Sequence, residues 1–373
     1  MLTSAGTQQA AQADRGASVA ASATAHAAPA QAAAAPDHAA PDHAGSAHAE
    51  RVYPAYRPFD VTVQRLLPLS PHFVRVTFTG PDLHLFGTAS LDQRIKLILP
   101  HPDGRICDVG AADEQAVLDG SWYATWRAIP DGERNPFRTY TVRSIRPERR
   151  ELDIDMVLHD PEPGHADGPA AAWLRRAAVG DRLCVVGPDA RTPDPTVGLD
   201  WRPGASRHLL LAGDETAAPA ICSIVESLPE HVTAQAFVEV PTGADILNVY
   251  PRGRSQVAWL ARDAGCETAE GFHAIAPHGE MLAQAVRSWV PRHMSHVAGA
   301  VGPVPEELED VDVDTELLWD SPVDPTTGDF YAWIAGEAGT VKLIRRHLVS
   351  EVGVARANVA FMGYWRRGRA EAQ

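Results

Sequence analysis

Arg138-Thr139-Tyr140-Thr141 has the form R-x-Y-T. On a strand, side-chain alternation places Arg138 and Tyr140 on the same face. A flavin dinucleotide needs a cation near its pyrophosphate, a flat ring against the isoalloxazine, and a hydroxyl or amide near the reactive edge. Arg138, Tyr140 and Thr141 can supply these in turn. The same four residues also describe an ordinary barrel strand with one exposed arginine. A second element begins about 30 residues on, where Gly168-Pro169-Ala170-Ala171-Ala172-Trp173 opens a helix. A helix start offers unpaired amide donors and the positive dipole end, and small residues let a phosphate approach. A plain proline-initiated helix would look alike. One strand separates the two elements, which lets both reach one dinucleotide.

The elements that must position these residues follow from periodicity. "FDVTVQRLL", "HFVRVTFTG", "DQRIKLILP" and "RTYTVRSI" are short, β-branched and bounded by Pro and Gly, so they predict strands. In "ELDIDMVLHD", Leu152, Ile154, Met156 and Leu158 alternate with Asp153, Asp155 and His159, the period of a half-buried strand. With "RLCVVGPDA" these predict a small antiparallel barrel over residues 51–203. From residue 204 to 369 the pattern changes. "HLLLAGDET", "AQAFVEVP", "SQVAWLAR", "DFYAWIAGE" and "ANVAFMGYW" predict strands. "APAICSIVESL", "MLAQAVRSWV" and "AGTVKLIRRHLVSE" predict helices. Such alternation predicts a parallel sheet with helices on both faces. The acidic, Pro-rich stretch of about 291–328 reads as a surface insertion.

Composition excludes several classes. The formal net charge is −15, of which residues 1–50 carry −3, leaving −12 for the rest. Long-range attraction to nucleic acid or to an anionic membrane is thereby disfavoured. No run of about 18 apolar residues occurs. Cys107, Cys184, Cys222 and Cys266 are scattered, with no CxxC pair, which argues against an iron–sulfur or zinc site and fits a reducing cytoplasm. Residues 1–50 are Ala-rich and nearly devoid of core-forming side chains, the composition of a disordered tail. Of the 33 Lys plus Arg, only Lys96 and Lys342 are lysine.

"RTYTVR", "VLH", "GPAAAW", "LAGDETAAPAI", "FVEVP", "YAWIAGEAG" and "GYWRRG" occur in an order that resembles the siderophore-interacting proteins. These are FAD-containing ferric-siderophore reductases of the vibriobactin-utilisation type. The resemblance runs from about Arg57 to Gly368 and implies a ferredoxin-reductase-like fold: an N-terminal FAD-binding β barrel and a C-terminal nucleotide-binding α/β domain. It assigns Arg138, Thr139, Tyr140 and Thr141 to a flavin clamp and places His159 beside the cofactor. Gly168, Ala170, Ala172 and Trp173 fall around the pyrophosphate. Gly213-Asp214-Glu215-Thr216 and Glu337 end strands of the α/β sheet where a nicotinamide nucleotide would lie, and Tyr364 or Trp365 would cover the flavin. Two acids in that first turn weigh against strong NAD(P)H binding. The implied substrate is a ferric siderophore, with NADH, NADPH or reduced ferredoxin as electron donor. Lys96, Arg143, Arg366 and Arg369 are the cations proposed to hold an anionic siderophore on this acidic body, Lys96 first. Arg367 lies in the same terminal run. The implied protein is a cytoplasmic monomer that needs no iron ligands, because the substrate already wraps the metal. The rival readings are a general flavin or ferric-chelate reductase and a non-enzymatic siderophore carrier.

Overall fold

The structure, a computed structural model, describes residues 52–159, 167–306, 308–309, 316, 318–324, 326 and 328–368. The expected tail therefore lies outside the described residues, as do Arg369 and part of the acidic stretch.

Seven strands form the first sheet: β1 (Tyr56–Pro68), β2 (Phe73–Thr79), β3 (Arg94–Ile98), β4 (Phe137–Thr141), β5 (Ser144–Arg146), β6 (Glu151–Val157) and β7 (Arg182–Pro188). Their order is β4-β3-β7-β1-β2-β6-β5, and every pair is antiparallel. The two edge strands, β4 and β5, are joined by only Val142 and Arg143. Val142 N–H bonds Gln93 beside β3, and Arg143 N–H bonds Asp153 in β6, both at 3.0 Å. The sheet must therefore curl until its edges meet, which is the predicted barrel. Leu152, Ile154 and Met156 face its core with Phe59, Val76, Phe78, Ile95 and Leu97.

The alternating strand departs from expectation on its other face. Asp153 and Asp155 are buried rather than solvated. A forked Arg75 holds Asp155 at 2.7 and 2.8 Å, and Arg146 holds Asp153 at 2.8 and 3.0 Å. Two helices between β3 and β4 had no expectation attached to them. In α1 (Glu114–Asp119) and α2 (Ser121–Ala128), Trp122 and Trp126 cover the outer face of the barrel, with Trp126 edge-on to Phe137 at 4.1 Å. The helix α3 (Pro169–Leu174) lies between β6 and β7.

The second sheet contains β8 (His208–Gly213), β9 (Thr233–Val240), β10 (Arg254–Ala261), β13 (Trp319–Asp320), β14 (Phe330–Glu337) and β15 (Val359–Trp365); a short hairpin, β11 (Cys266–Thr268) and β12 (Gly271–His273), stands apart. The order β10-β9-β8-β14-β15-β13 is parallel except for the edge strand β13. The chain leaves β8 toward β9 and returns to β14 on the other side, so the switch point lies between β8 and β14. Helix α4 (Ala218–Ser227) packs on one face. Helices α5 (Glu280–Arg292) and α7 (Ala338–Arg345) pack on the other, with the short α6 (Met294–Val297) beyond α5. The ends of the expected insertion are not superficial: Val297, Ala300 and Leu318 are buried in the core beneath α5 and α7, and Trp319 pairs with Met362 of β15.

The described residues cluster as one compact unit, and the barrel packs on the α4 face through Phe73, Leu69, Leu91 and Val157. Polar ties cross the same seam. Asp245, fully buried past β9, accepts from Ser70 Oγ at 2.7 Å and from His72 N–H at 2.9 Å, and His72 Nδ1 lies 2.8 Å from it. Asp92 accepts from Trp333 Nε1 at 2.9 Å. No helix among the described residues is long and apolar enough to cross a membrane.

Candidate functional site

The carboxyl ends of β8, β9, β14 and β15 meet at the switch point. Gly213 is required there: an added Cβ would lie 2.5 Å from Ala217 Cβ and 2.7 Å from Ala335 O. Gly336 has φ +142°, and its Cβ would strike the Asp214 carboxylate at 2.6 Å. That carboxylate is 1% exposed. It accepts from Thr216 N–H, Thr216 Oγ1, Glu337 N–H and Trp365 Nε1 at 2.9, 2.5, 2.7 and 2.8 Å. Asp214 thus organises the turn and seats Trp365. Burial, then the charge of Glu215, push its carboxyl above the ordinary range.

Glu215 is equally buried and is met by a forked Arg262 at 2.9 and 3.1 Å. His278 Nε2 and His159 Nδ1 each lie 3.7 Å from its oxygens. Burial alone would raise its carboxyl, but His278 and Arg262 hold it well below the usual range. Glu239, the third buried acid, accepts from Gly279 N–H, Leu282 N–H and Arg262 at 2.7, 3.1 and 3.2 Å. His278 stands edge-on to Trp365, with ring centres 5.1 Å apart, and the exposed His159 lies 5.6 Å from the same ring. The two acids expected to confront a nucleotide's phosphates therefore face partners inside the protein. Glu337 is likewise used locally: its carboxylate caps α7 by accepting from Thr340 N–H at 2.9 Å.

The other expected residues lie on the barrel. In the β3–β4 ladder Arg138 pairs with Leu97 and Tyr140 with Ile95, whose side chains enter the barrel core. Arg138 and Tyr140 are half-buried on that inner face, and Thr141 is buried. Lys96 pairs with Thr139, and its Nζ donates to Thr139 Oγ1 at 2.5 Å. Alternation places Lys96 on the outer face, with the Trp122–Trp126 cluster, across the ladder from Tyr140. Among the described residues, no side chain caps the start of α3, and a Cβ on Gly168 would meet nothing within 4 Å. Ala170 and Ala172 are half-buried. Trp173 turns its side chain away from the helix start: it is 1% exposed and its ring is stacked with Phe78 in the barrel core, so only its backbone is left for a pyrophosphate. Arg143 is corrected. It bonds Glu226 of α4 at 2.8 Å and lies 3.5 Å from Asp155, which makes it a tie across the seam rather than a siderophore anchor. Arg366 is half-buried just past Trp365, and Arg367 is exposed.

An arginine and a tyrosine two residues apart on one strand face, and, among the described residues, a helix start without a side-chain cap and open space at its glycine, suit the pyrophosphate and flat ring of a flavin dinucleotide. Among the described residues no cluster suits a metal ion. Glu239, Arg262 and His278 escaped the sequence reading, although an acid inside the apolar "FVEVP" is itself an anomaly that demands a buried partner.

The family described as "Siderophore-interacting FAD-binding domain" matches residues 62–192, and that described as "Siderophore-interacting protein" matches residues 206–368. The ferric vibriobactin reductase ViuB of Vibrio cholerae is 28% identical over 324 residues, covering 86% of this chain and 93% of its own. An uncharacterized Mycobacterium tuberculosis protein is 29% identical over 318 residues, covering 84% of this chain and 91% of its own. The crystal structure of the siderophore-interacting protein SipS from Aeromonas hydrophila superposes with a TM-score of 0.53 at 25% identity, over 84% of this chain and 100% of that one.

Proposed function

Because the chain belongs to the siderophore-interacting protein family, we propose that it is an FAD-dependent reductase that releases iron as Fe(II) from ferric siderophores. The observation that carries this reading is the R-x-Y-T strand with Arg138 and Tyr140 on the inner face of the barrel sheet. Arg138 would neutralise the pyrophosphate together with the α3 amides, and Tyr140 and Thr141 would hold the ring. Bound FAD accepts two electrons as a hydride and can deliver them singly, which matches one-electron reduction of ferric iron. A siderophore holds Fe(III) far more tightly than Fe(II), so reduction is enough to loosen the metal. Trp365, fixed by Asp214, would cover the flavin. Lys96 and Arg366, with Arg369 on sequence grounds alone, are the cations for an anionic siderophore; Lys96 reaches it only from the outer side of the β3–β4 ladder. The donor is NADH, NADPH or reduced ferredoxin.

The test is anaerobic. The FAD-loaded protein is photoreduced, mixed with several ferric siderophores, and Fe(II) is captured by a ferrous chelator. Reoxidation of the flavin with stoichiometric Fe(II) is the expected result. A reduced flavin that persists beside every ferric siderophore would overturn the proposal in favour of a carrier. Adding each donor separately to oxidised protein then identifies the reductant.

A further inference from the structure

We propose that His278 is a positioning residue that acts through Asp214 to hold the indole of Trp365 in place. The inference rests on the reading of Trp365 as the cover of the flavin, and it concerns how that cover is held. Trp365 ends β15 and donates Nε1–H to Asp214 Oδ2 at 2.8 Å. A bond to an ionised acceptor is roughly twice as strong as one to a neutral acceptor, so Trp365 is held best while Asp214 carries its charge. Asp214 is buried beside Glu215, and Arg262, the nearby guanidinium, is engaged by Glu215 and Glu239. Among the described residues, a positive charge that lowers the Asp214 carboxyl comes from His278, whose Nε2 lies 3.8 Å away. Its ring is 7% exposed, and neither ring nitrogen has a hydrogen-bond partner among the described residues. The ring therefore sits in this pocket for its charge and for its edge contact with Trp365. Its backbone is fixed as well, because the next residue, Gly279, donates to Glu239.

The charged groups around His278 come from every neighbouring element. They are Asp214 and Glu215 past β8, Glu239 in β9, Arg262 past β10, and His159 from the barrel through Glu215. Glu337 is spent on the α7 cap, and Glu280 at the start of α5 bonds Gln284. Burial opposes the imidazolium, but Glu215 and Asp214 outweigh it and hold His278 above the ordinary histidine value. As pH rises past that point the imidazolium is lost, and Asp214, still ionised, keeps its bond to Trp365 beside Glu215 without its counter-charge, so the electrostatic setting of the indole N–H changes.

The full-length, FAD-loaded protein is labelled with nitrogen-15, and the Trp365 indole resonance is assigned by its loss in Trp365→Phe. In the wild type that resonance should move with pH, with a midpoint above the ordinary histidine value of about 6.5. It should not move in His278→Gln. In His278→Arg, which keeps the charge without titrating, it should remain at its low-pH position. Movement that persists in His278→Gln, a wild-type resonance that stays still, or an arginine variant resembling the glutamine variant would each overturn the proposal. The visible circular dichroism of the flavin is recorded on the same samples. If the indole follows His278 while the flavin band does not, the positioning role stands, and the placement of Trp365 against the flavin is what fails.

Discussion

Replacing Asp92 by asparagine tests how the seam between barrel and parallel sheet is built. Asp92 is 1% exposed. One oxygen accepts from Trp333 Nε1 at 2.9 Å and Asp200 N–H at 3.2 Å; the other has no hydrogen-bond partner among the described residues. Burial, and then the charge of Asp200, push the carboxyl up to about 7 against the pull of the Trp333 bond. An unfolded aspartate titrates near 4. Between about pH 4 and 7 the folded chain therefore keeps a proton that the unfolded chain has released, and stability falls as pH rises through that window. At about 1.4 kcal/mol per pH unit, the whole window is worth about 4 kcal/mol. Asparagine keeps an acceptor for both bonds and never ionises. Its amide group would occupy the unpartnered side, a fixed cost of about 1–3 kcal/mol at every pH. The decisive quantity is thus the difference in slope. From pH 5 to 8 the wild type should lose about 3 kcal/mol more than Asp92→Asn. Urea unfolding followed by tryptophan fluorescence, at matched flavin content, gives both curves. Parallel curves would refute the reasoning, since they would mean that the carboxylate is stabilised as well in the seam as in water.

Arg138→Ala should weaken FAD retention by about 10- to 100-fold, the value of a lost charge-assisted contact, measured by equilibrium dialysis of released flavin; unchanged retention would remove Arg138 from the clamp. Arg143→Ala should cost about 1–3 kcal/mol of stability by leaving Glu226 without its arginine partner. It should leave siderophore affinity equal for anionic and cationic substrates; a loss confined to anionic ones would restore Arg143 as an anchor. Lys96→Ala should raise the half-saturating concentration of an anionic ferric siderophore and leave FAD content alone. That effect should shrink with salt, because exposed charges are screened over about 8–10 Å. Equal losses for anionic and cationic siderophores would assign Lys96 to the fold.

Much of this fold was legible because its cores are periodic. Leu152, Ile154 and Met156 announce a strand, and "HLLLAG" followed by "APAICSIVES" announces a strand and helix, since burial alone dictates such patterns. Several of the errors share one cause, a partner that only folding brings in. Asp153 and Asp155 look solvated until Arg75 and Arg146 fold over them. Arg143 looks available until Glu226, 83 residues on, takes it. Asp214 and Glu215 look like obstacles to a phosphate until Trp365, Arg262 and His278 arrive from three later segments. Trp173 was misplaced for a different reason. A helix start implies which backbone amides face outward, but not which way a large ring one turn later will point.

The seam has a mechanical consequence. Arg143 to Glu226, Asp245 to Ser70 and His72, and Asp92 to Trp333 fasten the barrel to the parallel sheet at three separate places, on α4, past β9 and within β14. A hinge that opened about any one of them would strip buried partners from the other two, at about 1–3 kcal/mol for each orphaned group. The three ties consequently oppose a jaw-like opening between barrel and parallel sheet. On the proposed reading, the spacing along the electron path is set when the chain folds rather than at each turnover.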